Sequence, residues 1–229
     1  MKEEVAGDKT VLRMSLDAKA TVKVGEFSRN GKNRILIKAL DHDFQPKESV
    51  TPYGILLPDY NRLYIYVSQG RVTSDFIADC IADCWQQIKA EFPQIETFLM
   101  YQDNGPENHS RRTQFMYRMA QFADQAQLTV RLAYYPPYHS KYNPIERVWS
   151  ALEQHWNGSL LESVETVLRF AQTLTWQQKS PTVKLVKKMY ESGKKLNQKA
   201  MSLLEERFER EEELGKWFVQ IPPIIPQNP

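Results

Sequence analysis

Three acidic side chains, far apart in the sequence, lie where a sheet and an adjoining helix could gather them. Asp17 belongs to an alternating segment, Asp103 directly follows an apolar segment, and Glu146 opens a segment of helical period. Two divalent cations about 3.5–4 Å apart can activate water and stabilise the leaving oxygen of a phosphodiester. Magnesium and manganese prefer oxygen ligands, so this chemistry requires carboxylates at one point.

Each of the three acids also has an ordinary structural interpretation. Asp17 could be an exposed aspartate on a strand, although aspartate is disfavoured there. Asp103 begins an Asp-Asn-Gly turn sequence. Glu146 follows Asn143 and Pro144 in a capping-box arrangement, with Asn143 as the N-cap. On these patterns alone, both interpretations stay open.

Glu146 lies on the flank of a predicted helix, about 100° around the helical wheel from Ile145. A side chain on that flank can reach over the edge of a sheet toward a metal. Glu153 lies two turns further along the same flank and is a less favoured substitute. The buried stripe of this helix is predicted to contain Ile145, Val148, Trp149 and Leu152.

The elements that must position these acids alternate between strand and helix patterns. Period-two alternation from Val11 to Val24 predicts a strand, bent or broken into two pieces. A turn is predicted at 30–33 and a loop from Asp41 to Asp59, which contains three prolines. Further strands are predicted at 35–37, Leu63 to Val67, Thr97 to Tyr101 and Leu128 to Leu132.

Helices are predicted between and after these strands, which indicates an α/β fold with a mixed sheet and helices on its faces. They run from Thr73 to Glu91 with Ser74 as N-cap, from Arg111 to Gln125, and from about Pro144 to Trp156. Beyond Ser159 the chain is predicted to be mainly helical, at Val164 to Trp176 and Leu196 to Glu213. The last residues, from Ile221 to Pro229, form a proline-rich tail.

Bulk composition is that of a globular protein with one sizeable domain, with or without an appendage. The chain has 229 residues, 41% hydrophobic and 25% charged, which is ordinary for such proteins. No apolar run is long enough to cross a bilayer, and the polar start is not a secretory signal. Cys80 and Cys84, one helical turn apart, lack the further Cys or His of a zinc site and are predicted to be buried thiols.

Candidate DNA contacts are basic residues near the three acids. A net charge of +2 excludes a histone-like polycation, but local placement matters more than the sum. A basic stretch runs from Lys19 to Lys38, and an aromatic loop from Tyr134 to Tyr142 could stack on bases or pack against the sheet. The candidates are Lys19, Lys23, Arg111, Arg112, His139 and Lys141; solvated surface positions are the alternative for the lysines and arginines, and a structural role for His139.

Side-chain amides and late lysines complete the candidate set. Asn104 and Asn108 are expected to hold the Asp103 loop through hydrogen bonds. A group of late lysines is interpreted either as a solvated surface or as a basic strip flanking DNA; it comprises Lys184, Lys187, Lys188, Lys194 and Lys195.

Three motifs in this order resemble the DDE transposase domain of bacterial insertion sequences. They read "DAKATVKVG", "QDNGPEN" and "YYPPYHSKYNPIERVWSALEQHWNG". The resemblance is nearest to the Rhodopirellula-type transposases, which are distantly similar to mariner-like elements. It runs from about Val11 to the end of the chain, including "GKWFVQIPP", and the third motif is the most specific.

The resemblance implies an RNase H-like fold, a five-stranded mixed sheet flanked by helices. We therefore expect a short lead at 1–10, a catalytic domain at 11–158, a helical C-terminal extension at 159–220 and a tail at 221–229. By the same resemblance, Asp17, Asp103 and Glu146 are the catalytic and metal-binding residues for two Mg²⁺ ions, with Mn²⁺ as a substitute. Such enzymes nick DNA at the ends of the element, and the freed 3′-hydroxyl then attacks target DNA.

The resemblance also implies partners and a location. These are the element's DNA ends, the target DNA and further copies of the chain on paired ends, in the bacterial cytoplasm with the nucleoid and without membrane contact. Full-length relatives carry an N-terminal helix-turn-helix region, whereas about ten residues precede the first strand here. We expect a split frame, a truncated copy or an isolated catalytic domain, with helix-turn-helix function on a separate polypeptide. The alternatives are an RNase H-like structure-specific nuclease without strand transfer, and an inactive or domesticated DNA-binding remnant.

Overall fold

The structure is a computed structural model that describes residues 7–27, 48–136 and 142–225. The turn predicted at 30–33, the strand predicted at 35–37 and the candidate residues His139 and Lys141 lie outside these ranges. The same holds for most of the basic stretch and for the last four residues of the tail.

Five strands form the centre of a mixed sheet, as expected from the resemblance. The central strand β1 (Val11–Ala18) pairs with the antiparallel strand β3 (Glu48–Leu57) on one side and the parallel strand β5 (Thr97–Gln102) on the other. Outside them, β4 (Arg62–Ser68) runs antiparallel to β3, and β6 (Thr129–Tyr134) runs parallel to β5.

Short strands extend the sheet at both edges. β7 (Thr182–Val186) lies parallel to β4, and β9 (Phe218–Ile221) lies antiparallel to β6 and carries β8 (Glu209–Arg210). β2 (Val22–Val24) pairs with β3. Over the described residues the sheet therefore has nine strands, in the order β7-β4-β3-β1-β5-β6-β9-β8 with β2 beside β3.

Helices cover both faces of the sheet. α1 (Ser74–Ile88), extended by a 3₁₀ turn at Lys89–Glu91, packs with α2 (Thr113–Ala126) in one apolar cluster. α3 (Pro144–His155) and α4 (Val164–Thr173) pack in a second cluster on the opposite face. α5 (Gln198–Glu205) packs against α2. Among the described helices, none has the length and apolar character needed to cross a bilayer.

The predicted loop from Asp41 to Asp59 is wrong over its second half, which forms β3. Prolines usually mark loops and strand edges, but Pro52 lies where the neighbour of β3 changes from β2 to β1. Its carbonyl accepts a hydrogen bond from Lys19 N at 2.9 Å on that side. The N–H and C=O groups of a strand residue point toward the same neighbouring strand. The N–H that proline lacks would therefore point toward the gap between β1 and β2, where the hydrogen-bond ladder is interrupted.

The predicted helical extension is wrong in part, because residues after Ser159 form two shorter helices and also contribute strands to both edges of the sheet. α4 ends at Thr173 instead of continuing to Trp176, and α5 spans only eight residues of the predicted Leu196 to Glu213 helix. The strands β7, β8 and β9 have five, two and four residues, too few for alternation to stand out. The segment 159–220 therefore completes the sheet.

Local details of α1 were predicted in part. Its N-cap is Thr73 and not Ser74, since the Thr73 hydroxyl accepts a hydrogen bond from Phe76 N at 3.3 Å. Cys80 and Cys84 are buried free thiols on the core side of this helix, as predicted.

Candidate active site

The sheet topology brings Asp17 and Asp103 to the same edge. β1 and β5 are parallel neighbours whose register pairs Ser15 with Tyr101, and each aspartate comes two residues later. The carboxyl ends of adjacent parallel strands meet at one edge, where ligands bind in α/β sheets. The two carboxylates therefore lie at neighbouring strand ends.

Helix α3 is tied to β1 by two buried polar side chains. The Ser15 hydroxyl donates to Asn143 Oδ1 and accepts from Ile145 N at 3.0 Å. Asn143 Nδ2 donates to the carbonyl oxygen of Leu16 at 3.0 Å. These bonds hold the first turn of α3, and with it Glu146, beside the strand that carries Asp17.

The predicted capping box at this helix does not form. Asn143 is the N-cap residue, but its side chain makes no capping bond because its amide group is used by β1. The Ser15 hydroxyl, 130 residues away from Ile145 in the sequence, bonds the free backbone N–H of Ile145 in its place. Asn143 thus supports the site by joining the helix to the sheet.

The indole of Trp149 orients Asp17. Its Nε1 donates to Asp17 Oδ2 at 2.7 Å. Gly54 stands opposite Asp17 on β3, and a Cβ built there would lie 2.7 Å from the Trp149 ring and 2.8 Å from Ile145 Cδ1. A residue without a side chain is therefore required for α3 to approach the sheet this closely.

Two of the three carboxylates, those of Asp17 and Glu146, have raised pKa values. Burial raises the pKa of Asp17 to about 7, and the charges of Glu146 and Asp103 act in the same direction, against the bond from Trp149. Burial and the charge of Asp103 also raise the pKa of Glu146, which Lys19 partly opposes. A divalent cation would offset this repulsion and allow all three to ionise.

The loop after Asp103 is held by Asn108 but not by Asn104. Asn108 Nδ2 lies 3.1 Å from the Asp103 carbonyl oxygen and 3.2 Å from Asp103 Oδ1. A Cβ on Gly105 would lie 2.8 Å from Asn108 Oδ1, so the turn needs glycine there. Asn104 is exposed, and no hydrogen bond from its side chain is found in the described ranges.

Arg112 anchors this loop, while Arg111 is exposed to solvent. Arg112 forms an ion pair with Glu107 at 3.1 Å, and Glu107 accepts a hydrogen bond from Ser74 N at 3.2 Å. Arg112, one of the two arginines predicted to contact DNA, therefore joins the Asp103 loop to the start of α1. The other, Arg111, is exposed.

The predicted DNA contact through Lys19 is not supported, because this residue is only 9% exposed. Its ammonium group bonds Glu153 and lies 5.6 Å from the centre of the Trp156 ring. Glu153 also accepts from Trp156 Nε1 at 2.8 Å, so the alternative third acid is engaged in a structural contact. Lys23 is half-buried, with Nζ 5.5 Å from the Phe27 ring centre.

The late lysines are largely engaged by acids on α1 and are not a free basic strip. Lys184 bonds Asp83 at 2.8 Å and Lys188 bonds Asp79 at 2.7 Å. Lys194 lies 3.4 Å from Asp75. These pairs connect β7 and the chain after it to the outer face of α1.

The three carboxylates are of the type that binds a hard divalent cation, but their side chains do not converge on one point. Within the described ranges, no three Asp, Glu, His or Cys side chains meet at one metal-binding point. Asp17 and Asp103 are instead held by Trp149 and Asn108. Three carboxylates at one sheet edge, two with raised pKa values, are nevertheless the ligand type that Mg²⁺ and Mn²⁺ take.

Several residues of this site were not predicted from the sequence. Ser15 lies two positions before Asp17 on the same side of β1, and that spacing was the available signal. Trp149 was predicted as core, but its polar N–H is what Asp17 uses. Arg147, exposed and adjacent to Glu146, and Tyr53, on β3, had no distinguishing pattern.

Comparison with known proteins identifies the family. A solved structure titled "Mos1 transposase paired-end complex with left transposon end" is similar at 9% sequence identity, with a TM-score of 0.48. The similarity covers 73% of this chain and 48% of that chain, so this chain spans about half of its length. No curated protein sequence matches. The profile of the family described as the Rhodopirellula transposase DDE domain matches residues 2–223, and the chain therefore belongs to this family of transposase domains.

Proposed function

We propose that this chain is the catalytic part of a DNA transposase in which Asp17, Asp103 and Glu146 hold two Mg²⁺ ions, with Mn²⁺ as a substitute. The observation that carries the proposal is the placement of three carboxylates from β1, β5 and α3 at one sheet edge, where Asp17 and Glu146 have raised pKa values. Membership of a DDE transposase family supports the use of divalent metal in general.

Each carboxylate has a neighbour that prepares it for this role. Trp149 orients Asp17, Asn108 orients Asp103, and the pair Ser15–Asn143 holds the helix of Glu146. When bound, the two ions would activate the attacking water or 3′-hydroxyl and stabilise the leaving oxygen. The protein contributes elements that hold the three acids at one edge of the sheet, and metal binding would draw their carboxylates together.

The proposed substrates are the DNA ends of an insertion sequence and a target duplex. Arg111 and Arg147 are exposed and follow Asp103 and Glu146 closely in the sequence, and we propose them as phosphate contacts; His139 and Lys141 stay predictions. We further propose that copies of the chain act together on paired ends, at the nucleoid in the cytoplasm.

A strand-transfer assay with matched variants tests the proposal. The protein is mixed with a pre-cut DNA end bearing a 3′-hydroxyl, taken from the sequence flanking its own gene, together with a target plasmid and Mn²⁺. Glu146→Gln is compared with Glu153→Gln, which changes the same residue type two turns along the same helix. We expect Glu146→Gln to reduce joining by about 100-fold or more, and Glu153→Gln to retain it.

The products distinguish the candidate functions. Covalent joining of the end to the plasmid supports a transposase, whereas cleavage without joining favours a structure-specific nuclease. If Glu146→Gln joins DNA as well as Glu153→Gln does, Glu146 is not part of the metal site.

A further inference from the structure

Tyr53 carries a buried hydroxyl that no described group satisfies. The residue is 2% exposed, and its Oη has no hydrogen-bond partner within the described part of the chain. Buried polar atoms are nearly always bonded to protein or ordered water, because an unpaired one is costly. The hydroxyl therefore points to a partner other than the backbone and side chains of the described residues.

The position of this hydroxyl is fixed by the fold. Tyr53 lies on β3 opposite Ala18, next to the pair formed by Asp17 and Gly54. Its ring packs edge-on against Phe76 of α1, with centroids 5.7 Å apart and an interplanar angle of 78°. A ring held between strand and helix cannot swing its hydroxyl toward solvent.

The ring of Tyr53 lines a cavity at the candidate metal site. The cavity has a volume of about 190 Å³ and is also lined by Asp17, Asp103, Gly105 and Asn108. It is large enough for several water molecules, each of which needs roughly 30 Å³. Tyr53 and the two aspartates thus border the same space.

We propose that Tyr53 is a positioning residue whose hydroxyl bonds a water molecule of the metal site formed by Asp17 and Asp103. This inference rests on the proposed function, because the water is one that the bound ions would share. Burial, with smaller contributions from Cys80, Asp17 and Asp103, holds the pKa of Tyr53 well above its ordinary value. The hydroxyl therefore keeps its proton. Groups of this kind commonly tune metal affinity through the ligands and waters they orient.

Metal titration of the whole chain tests this role without reference to activity. We expect Tyr53→Phe, which removes only the hydroxyl, to weaken Mn²⁺ binding measured by calorimetry by about 10-fold. Tyr101→Phe is the matched control, because its hydroxyl is also buried but lies beside Arg13, and the residue packs with Leu99 and Ala133 in a separate cluster. Thermal unfolding in chelator verifies that both variants are folded.

The outcomes separate this inference from the proposed function. Equal Mn²⁺ affinities for Tyr53→Phe and the unaltered protein overturn the role of Tyr53, provided that Asp103→Asn still abolishes binding. If Asp103→Asn also leaves binding unchanged, the metal site itself is wrong. A high-resolution structure with Mn²⁺ gives a second measurement: a water bonded to both Tyr53 Oη and the ion supports the proposal, and a hydroxyl without such a water contradicts it.

Discussion

In the absence of metal, the buried carboxylate of Asp17 lowers the stability of the folded protein. Its carboxylate is buried beside Glu146 and Asp103, and its pKa is raised to about 7. In the unfolded chain the same group has its ordinary value of 3.8. Between pH 3.8 and about 7, the folded protein therefore holds a proton on Asp17 that the unfolded chain has already released.

This difference predicts a pH-dependent gain in stability for Asp17→Asn in metal-free buffer. As the pH rises from about 4 to 7, the unfolded chain ionises first, so the free energy of unfolding falls. Asparagine removes that penalty and keeps an oxygen for Trp149. We expect the free energy of unfolding of the variant to exceed that of the unaltered protein by an amount that grows from pH 5 to pH 8, toward at most about 4 kcal/mol. Melting followed by circular dichroism in chelator measures this difference.

Glu212→Gln is the control for the Asp17 experiment, since it removes a negative charge from an exposed position. A melting-temperature gain for Asp17→Asn that is constant across this pH range would mean that Asp17 titrates normally in the folded protein. Added Mn²⁺ should reverse the order of the two stabilities above pH 7, because only aspartate gains from the ion.

The sequence predicted the acids better than the groups that orient them. Asp17, Asp103 and Glu146 stand in motifs, whereas Ser15 and Asn143 meet across 128 residues. The amide of Asn143 was predicted to cap its own helix, a local interaction that a one-dimensional pattern can describe. Tertiary contact with β1 replaces that interaction, and no local pattern contains it.

At the level of elements, the approach of α3 to the sheet depends on Gly54. A Cβ there would meet the Trp149 ring at 2.7 Å, and both Trp149 and Ile145 are fixed in the second cluster. Gly54→Ala is therefore expected to destabilise the protein by about 1–3 kcal/mol and to reduce strand transfer, because α3 carries Glu146. Chemical denaturation and the joining assay measure the two effects.

Gly70→Ala is the matched control for Gly54→Ala. A Cβ on Gly70 would meet the end of the flexible Met189 side chain at 3.3 Å, and Met189 is 74% exposed. We expect little change in stability or joining. If Gly54→Ala behaves like Gly70→Ala, the contact between α3 and the sheet is looser than described.

Elements were predictable where their pattern is long. Helices α1 to α3 and strands β1, β4, β5 and β6 were found because each has a sustained period or a strongly apolar run. Strand β3 was not predicted because three prolines in this segment are typical of a loop. The break between β1 and β2, which the sequence pattern does not locate, explains why Pro52 is tolerated in the strand. Strands β7 to β9 are too short for periodicity.

In the molecule as a whole, strands β8 and β9 complete one edge of the sheet. Val219 and Ile221 of β9 are fully buried against β6. Arg210 donates to the carbonyl oxygen of Ser110 at 2.9 Å, and the Ser110 hydroxyl donates to that of Lys216 at 2.9 Å. The C-terminal strands thus also brace the segment that follows Asp103.

Truncation after Arg207 is expected to abolish stable folding. It removes β8 and β9 and exposes one edge of β6, and burial of Val219 and Ile221 alone contributes about 3–6 kcal/mol of a typical total of roughly 5–15 kcal/mol. Loss of the cooperative thermal transition checks this. Truncation after Ile225, which keeps β9, should retain the transition; a cooperative transition in both would show that the C-terminal strands are dispensable.

The hydrogen bond between the Trp149 indole and Asp17 has a spectroscopic consequence. The indole's emission responds to the charge of the carboxylate it bonds, so binding of a cation at Asp17 should shift or quench the intrinsic fluorescence of the protein. The chain has five tryptophans, and subtracting the spectrum of Trp149→Phe isolates the signal of this one. Occupancy of the site can then be followed in real time, on unlabelled protein, during assembly with DNA.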